Sequence, residues 1–404
     1  MDLSNVRIRE HFGLASNDTH TGHFNFIISP PKNKGSVEKD DYVLVDHPRL
    51  GEACQILAVV KDITSYEEVA GSTIDRVGKL LATAEIIGYV DLRRQNRPLQ
   101  KLLVPPNPGC RVYVPFVNFV EDVLNRNLRG EPYAQPILLG KMEATQNEEE
   151  QNQDKISCFL DAQEITTKHT LIAGMTGAGK TNVAKVLIQE LVDKTGTPIV
   201  ILDQTGEYTN VQSTKVQVLI FAAKPEKAQK RLENQNNQVK SLGEKPDREI
   251  LAKEVKPGQL IILNGEGITT EERRTFYGSC LEALWKNRST EITEPFLLFL
   301  EEAEDFKGDK LDQMVTEGRK NRIAVCLISI HPTELGDKVL SQVGNLIVGK
   351  VVAKDDVEYL TSMTNVGSGV LANLVTGEWI INGVNRLRPM KVQVTKKLGS
   401  APSN

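Results

Sequence analysis

Apolar and polar positions follow two different patterns along this chain. Up to about residue 142, short apolar segments alternate with turn-forming residues, at 24–28, 42–45, 55–61, 84–90, 101–104 and 111–114. Short strands at this spacing predict a small antiparallel sheet or barrel, and residues 73–82 predict a helix within it.

From residue 156 onward, apolar strands alternate with stretches of helical periodicity. The predicted strands are 170–173, 199–202, 216–221, 259–263, 296–300, 323–329 and 346–348. This alternation is typical of an α/β domain with a parallel sheet. The polar segment 225–256 predicts an arm on that sheet, and 378–394 predicts a closing β region.

A polar segment at 143–155 separates the two patterns. It holds almost no apolar residue and cannot contribute to a core, so it predicts a linker. The predicted organisation is therefore a domain at 1–142, the linker at 143–155, a second domain at 156–394 and a frayed tail at 395–404.

The composition narrows the classes of protein. Lys and Arg number 49 against 53 Asp and Glu, so the formal net charge is −4, which excludes a broad basic surface for nucleic acid. Five cysteines lie far apart without a Cys-x-x-Cys pair, which indicates reduced thiols in a cytoplasmic protein. The longest apolar run, 323–330, is far shorter than the ~18 residues that cross a membrane. His20 and His23 have no partner cysteines, so no zinc site is expected.

One motif carries phosphate chemistry. Residues 174–181, Gly-Met-Thr-Gly-Ala-Gly-Lys-Thr, fit the phosphate-loop pattern between a predicted strand and a predicted helix. Backbone N–H groups of such a loop and the helix N-terminus attract a polyphosphate. The Lys180 ammonium suits the β- and γ-phosphates, and the Thr181 hydroxyl suits Mg²⁺. The expected binding residues are Gly174, Thr176, Gly177, Ala178, Gly179, Lys180, Thr181 and Asn182.

A second motif carries the chemistry of hydrolysis. The apolar strand at 296–300 ends in Glu301 and Glu302, and parallel strands present functional residues at their carboxyl ends. We expect Glu301 to hold the Mg²⁺ and Glu302 to polarise the attacking water, an arrangement that indicates a hydrolase.

With these motifs placed, residues 156–394 resemble the HerA branch of the HerA/FtsK family of hexameric DNA-translocating ATPases. The stretches that carry the resemblance are 168–181, 201–208, 256–264, 301–303, 317–320 and 329–335. The strands before residue 142 are similar to the family's N-terminal barrel in pattern and position. The resemblance implies a RecA-like P-loop ATPase domain with a mainly parallel central sheet, preceded by a small β-barrel, with ATP and Mg²⁺ as cofactors.

The resemblance also implies roles for single residues. Arg319 matches a candidate arginine finger for a neighbouring subunit's γ-phosphate, and the alternative is a surface salt bridge with Glu317. Lys168 lies where relatives carry an arginine near the nucleotide. Asp203 and Glu207 match the family motif that follows the second core strand. Gln204 and Thr205 stand where that motif has a proline and a histidine.

One position departs from the family pattern. Ser329-Ile330-His331-Pro332 stands where relatives have Ser-Gln-Arg-Pro, so the glutamine expected to sense the γ-phosphate is an isoleucine. We expect His331 or Ser329 to replace that glutamine, and we expect His331 to lie at the nucleotide. The alternative is that the sensor is lost and turnover is slow.

The function implied by the resemblance is an ATP-driven helicase motor. We expect a homo-hexameric ring that translocates on double-stranded DNA in end processing or repair, with a NurA-type nuclease as partner and no membrane association. Two alternatives remain open: a nucleotide-gated ring scaffold that recruits an effector, and a coupling ATPase of secretion or conjugation.

Overall fold

The computed structural model describes residues 3–28, 37–67, 78–143, 155–211, 217–230, 238–241, 248–383 and 388–395. Two compact units divide the chain. One comprises Met1–Tyr133, Lys141–Cys158 and Asn385–Arg388, and the other comprises Ala134–Gly140, Phe159–Val384 and Pro389–Asn404. Most of the predicted linker (144–154) and of the predicted tail (396–404) lies outside the described residues, so the linear domain limits stay a prediction.

The first unit contains a closed barrel of six strands with antiparallel neighbours, in the order β1-β2-β5-β4-β3-β6. Closure leaves no strand edge unpaired. Apolar side chains alternate inward, as in β2, where Phe24, Phe26 and Ile28 are buried. The elements are β1 (Arg7–Thr19), β2 (His23–Ile28), β3 (Tyr42–His47), β4 (Gly51–Glu67), β5 (Gly78–Asp91), β6 (Arg111–Pro115) and α1 (Val117–Leu124), after a 3₁₀ turn at Leu3–Asn5.

The barrel was predicted correctly as a class, but some of its segments were not. Strand β1 is rich in polar and charged residues, which conceal its alternation. Residues 101–104 form no strand, since two prolines follow them and cannot donate to a ladder. Residues 78–82 of the predicted helix belong to β5, because they pair with β4 and residues 80–82 pair with β2 as well. Residues 73–77 lie outside the described residues.

The remaining elements build a twelve-stranded sheet with helices. The strands are β7 (Pro136–Glu143), β8 (Lys155–Asp161), β9 (His169–Ala173), β10 (Ile199–Asp203), β11 (Gln217–Ala222), β12 (Gln238–Ser241), β13 (Gln259–Asn264), β14 (Phe296–Leu300), β15 (Ile323–Ser329), β16 (Val343–Val348), β17 (Glu378–Gly383) and β18 (Met390–Val394). The helices are α2 (Ala162–Thr167), α3 (Lys180–Thr195), α4 (Pro225–Lys230), α5 (Arg248–Glu254), α6 (Thr270–Ser289), α7 (Asp309–Glu317), α8 (Asp337–Leu340), α9 (Lys354–Thr364) and α10 (Ser368–Asn373). Short 3₁₀ helices lie at Ala303–Phe306, Gly318–Asn321 and Pro332–Leu335.

The sheet order decides which loops meet. The strands run β12-β11-β13-β10-β14-β15-β9-β16-β17-β18-β7-β8, and neighbours from β12 to β16 are parallel. Strands β9, β15, β14 and β10 are therefore consecutive, and their carboxyl ends share one edge. The mainly parallel sheet confirms the predicted α/β class.

Part of the predicted arm at 225–256 belongs to the sheet. The arm at 225–256 contains α4, β12 and α5; because β12 pairs in parallel with β11, part of the arm belongs to the sheet. Residues 231–237 and 242–247 of the arm lie outside the described residues.

Among the helices that the structure describes, none combines the length and the apolar character needed to span a membrane.

Candidate active site

The loop between β9 and α3 has the conformation that a phosphate loop requires. Strand β9 is buried throughout, and α3 begins at Lys180. Gly177 and Gly179 have φ of 81° and 101°, the left-handed region that glycine adopts without a steric cost. Backbone bonds hold the loop to the sheet: the Gly174 N–H donates to the Ser329 carbonyl at 3.3 Å.

The Lys180 ammonium lies inside this loop. Its Nζ donates to the carbonyl oxygens of Gly174 and Met175 at 2.8 and 3.2 Å. Burial lowers the pKa of Lys180, and nearby carboxylates oppose that shift, in decreasing order Glu304, Glu302, Glu301 and Glu207. A half-buried cation whose present partners are two neutral carbonyls fits a site for an anionic phosphate.

The other predicted loop residues come together in the same segment. Thr176 and Gly177 are exposed, Ala178 is buried, and Thr181 and Asn182 are half-buried at the start of α3. The Ala178 carbonyl accepts from the Gly377 N–H at 3.4 Å, and Asn182 Nδ2 donates to the Thr395 carbonyl at 3.2 Å. Thus the residue before β17 contacts the loop, and the residue after β18 contacts the first turn of α3.

Glu301 and Asp203 form a buried carboxyl pair at the ends of β14 and β10. Asp203 accepts from the backbone N–H groups of Gly206, Glu207 and Tyr208 at 2.8, 3.1 and 3.0 Å. Burial, and then the charge of Asp203, raise the pKa of Glu301 to about 9, so Glu301 is protonated and donates to Asp203. Two carboxyl groups that cannot both ionise unaided suit a site completed by a cation.

This pair fits Mg²⁺ only together with other ligands. In the part of the chain that the structure describes, no group of three or more His, Cys, Asp or Glu side chains could hold a metal by itself. Mg²⁺ is usually bound through one or two carboxylates together with phosphate oxygens and water. Glu301 and the Thr181 hydroxyl would supply the protein ligands.

Glu302 occupies a strained backbone position beside this pair. Its φ and ψ are 49° and 57°, which a non-glycine residue rarely adopts and which is typical of functional sites. Burial raises the pKa of Glu302, as do the charges of Asp305 and Glu304, while Arg273 and Lys180 oppose the shift. A raised pKa suits a carboxylate that accepts a proton from water.

Gln204 braces the two glutamates, a role that the sequence did not reveal. Its Nε2 donates to the Glu301 and Glu302 carbonyls at 3.1 and 3.4 Å, and its Oε1 accepts from Arg273 Nη1 at 3.0 Å. The Thr205 hydroxyl donates to Glu301 Oε2 at 3.1 Å. The departures of Gln204 and Thr205 from the family motif were a signal for these two residues. No signal pointed to Arg273, which arrives from α6.

His331 is held away from the loop by another element. Its Nδ1 lies 3.1 Å from Asp356 Oδ2, and the ring is half-exposed. Asp356 Oδ1 also accepts from the N–H and hydroxyl of Thr333, at 3.0 and 2.6 Å. These bonds fix the 3₁₀ turn after β15, and no described contact joins His331 to the phosphate loop, so its nucleotide role stays a prediction.

Arg319 and Lys168 lie at the opposite edge of the sheet. Arg319 precedes β15, whose seven residues at about 3.3 Å each span roughly 20 Å to the edge that carries the loop. It lines a cavity of about 520 Å³ with Phe296 and Ile323, the first residues of β14 and β15. Lys168 precedes β9 and pairs with Glu164. Neither side chain reaches the phosphate loop of its own chain.

The guanidinium of Arg319 is exposed and available. Within the described residues it has no hydrogen-bond or ion-pair partner, so the alternative of a salt bridge with Glu317 is absent there. His169, the first residue of β9, is fully buried and accepts from the Val325 N–H at 3.0 Å through Nδ1.

The fold and site define a class of protein. The site has the parts of a P-loop ATPase: a buried strand, a glycine loop, a helix that begins at Lys180, and two glutamates after a nearby parallel strand. Residues 139–323 match the family model described as the central domain of the helicase HerA. Over these residues the chain is similar to the HerA-type ATPases of the HerA/FtsK family, and the protein is an ATPase.

Known proteins show how far the similarity extends. A probable helicase of Methanocaldococcus jannaschii, MJECL08, is 24% identical over an alignment that covers 84% of this chain and 83% of that protein. The DNA double-strand break repair helicase HerA of Pyrococcus furiosus is 23% identical, with 51% of this chain and 36% of that protein covered. Among solved structures, VirB4 of Thermoanaerobacter pseudethanolicus is 15% identical, covers 67% of this chain and 97% of its own, and has a TM-score of 0.43.

Proposed function

We propose that this ATPase is a helicase motor that translocates on double-stranded DNA as a homo-hexameric ring, with Mg²⁺ as the cofactor of ATP hydrolysis. The match to the HerA central domain and the relatives named as helicases support the class of DNA-translocating ATPase. A ring also reconciles DNA binding with a formal net charge of −4, because a few cations per subunit line a shared pore.

One observation carries the ring. Each chain presents its phosphate loop at one edge of the sheet and the exposed Arg319 guanidinium at the other. That guanidinium has no partner among the residues that the structure describes. A head-to-tail interface joins opposite edges of neighbouring copies and closes into a ring. The guanidinium stays charged and offers several donors to phosphate oxygens, so it suits a finger from the neighbouring subunit.

The residues of the site divide the work. Residues 174–182 would bind the triphosphate, with Lys180 on the β- and γ-phosphates. Thr181 and Glu301 would hold Mg²⁺, which neutralises charge that develops on the phosphate oxygens. Glu302 accepts the proton of the attacking water, and Gln204 holds the backbone of both glutamates while it does so.

The biological setting is proposed on coarser grounds. We place the motor in DNA end processing or repair with a NurA-type nuclease, since a curated relative is named as a double-strand break repair helicase. A cytoplasmic location fits the five cysteines, which form no disulfide within the described residues.

DNA-dependent ATP hydrolysis tests the motor. We expect linear duplex DNA to stimulate the rate severalfold without sequence preference, because a sliding pore reads phosphates and not base edges. The stimulation should fall steeply as salt rises, since phosphate contacts release counterions. A salt-insensitive ATPase that is indifferent to DNA would instead support the nucleotide-gated scaffold, which the isoleucine at 330 favours.

A further inference from the structure

The end of β15 lacks a sensor side chain in this protein. Ile330 has no side-chain hydrogen-bond donor, although it follows the strand next to the phosphate loop. His331 is bound to Asp356, and the Ser329 hydroxyl is buried without a partner among the described residues. Among the described residues, none of these three side chains connects this strand end to the Glu301–Glu302 pair.

Glu304 makes that connection. It lies in the 3₁₀ helix Ala303–Phe306, directly after the Glu301–Glu302 pair. Its Oε1 accepts the backbone N–H of Ile330 at 3.0 Å. Hydrogen bonds to a charged acceptor are about twice as strong as neutral ones, so this contact fixes the backbone where the glutamine would stand.

The second oxygen of the same carboxylate, Oε2, is buried and has no hydrogen-bond partner within the described part of the chain. Glu304 therefore holds the segment after β15 through Oε1 alone.

A backbone path leads from this contact into the loop. Ile330 follows Ser329, whose carbonyl accepts the Gly174 N–H at 3.3 Å. Gly174 in turn offers its own carbonyl to Lys180 Nζ. Releasing the Ile330 N–H would loosen the strand end that supports the first residue of the phosphate loop.

We propose that Glu304 is a positioning residue for ATP hydrolysis, which links the phosphate loop to the segment after β15 and takes the place of the missing sensor glutamine. The proposal depends on the ATPase activity of this site and not on DNA translocation. Glu304 acts through Ile330 and the backbone, and Glu302 keeps the role of base.

Four variants of the full chain test this role through the basal rate of ATP hydrolysis and nucleotide affinity. In Glu304→Ala, which leaves the Ile330 N–H without its acceptor, kcat should fall about tenfold with nucleotide affinity unchanged within threefold. In Glu304→Gln, whose amide oxygen can still accept that N–H, kcat should stay within about threefold of wild type. Adding Ile330→Gln to Glu304→Ala should restore at least half of the lost rate. Glu334→Ala, at an exposed glutamate of the 3₁₀ helix Pro332–Leu335, is the matched control with an unchanged rate.

Other results would overturn the proposal. An unchanged kcat in Glu304→Ala, or no recovery with Ile330→Gln, would show that Glu304 does not replace a sensor. If Glu304→Ala does not fold, Glu304→Gln decides alone: a rate as low as that of Lys180→Ala would refute the hydrogen-bond role. Wild-type protein that hydrolyses ATP without response to DNA would refute the motor and leave this test intact.

Discussion

Arg319 gives a quantitative test of the ring, because its distance from the phosphate loop of its own chain requires any catalytic role to cross an interface. Arg319→Ala removes an exposed guanidinium that has no partner among the described residues, so stability should change by less than about 0.5 kcal/mol. An arginine finger contributes about 10³–10⁵ in kcat, so ATP binding should persist while hydrolysis nearly stops. Lys320→Ala, the exposed neighbouring cation, is the control and should keep its activity.

A mixture of two variants that are inactive alone gives the sharper measurement. Lys180→Ala should be inactive alone because the β/γ-phosphate charge loses its partner. In rings refolded or co-expressed from equal amounts of Arg319→Ala and Lys180→Ala, a competent interface needs an intact loop on one side and an intact arginine on the other. Random assembly makes about a quarter of the interfaces competent whatever the ring size, so phosphate release should recover to about a quarter of wild type. Mixed rings that form and stay inactive would refute a finger in trans.

Three further predictions concern the two glutamates, Gln204 and the buried His169. Glu302→Gln should bind ATP and hydrolyse it at least about 100-fold more slowly, whereas Glu301→Gln should raise the Mg²⁺ concentration needed for half-maximal rate; swapped results would reverse the two roles. Gln204→Ala removes the hydrogen bonds to the carbonyls of both glutamates. The free energy of unfolding, measured by denaturation, should fall by about 1–3 kcal/mol, and kcat, measured as turnover, should fall as well. Burial lowers the pKa of His169 to about 4, so the unfolded chain binds more protons between that pH and the ordinary histidine pKa. Stability should therefore fall by about 3 kcal/mol as pH drops through this window, and His169→Gln should flatten the denaturant midpoint against pH.

Local sequence determined the parts of the site whose residues are contiguous. The phosphate loop needs glycine at positive φ and a helix that starts at its lysine, so eight consecutive residues specify it. The strand before Glu301 is uniformly apolar, which marks it as buried and places both glutamates at its end. The same local rule identified most strands of the sheet and the barrel class.

Tertiary structure decided what local patterns do not contain. The order of strands brings the end of β10 beside that of β14, and only this proximity raises the pKa of Glu301 and lets Gln204 bridge two glutamates almost a hundred residues away. The same order puts Arg319 and Lys168 at the far edge of the sheet, away from the loop of their own chain. Pairing with the neighbouring barrel strands made 78–82 a strand against its helical pattern. Burial and charge proximity are properties of the folded arrangement, since they depend on residues that are distant in sequence.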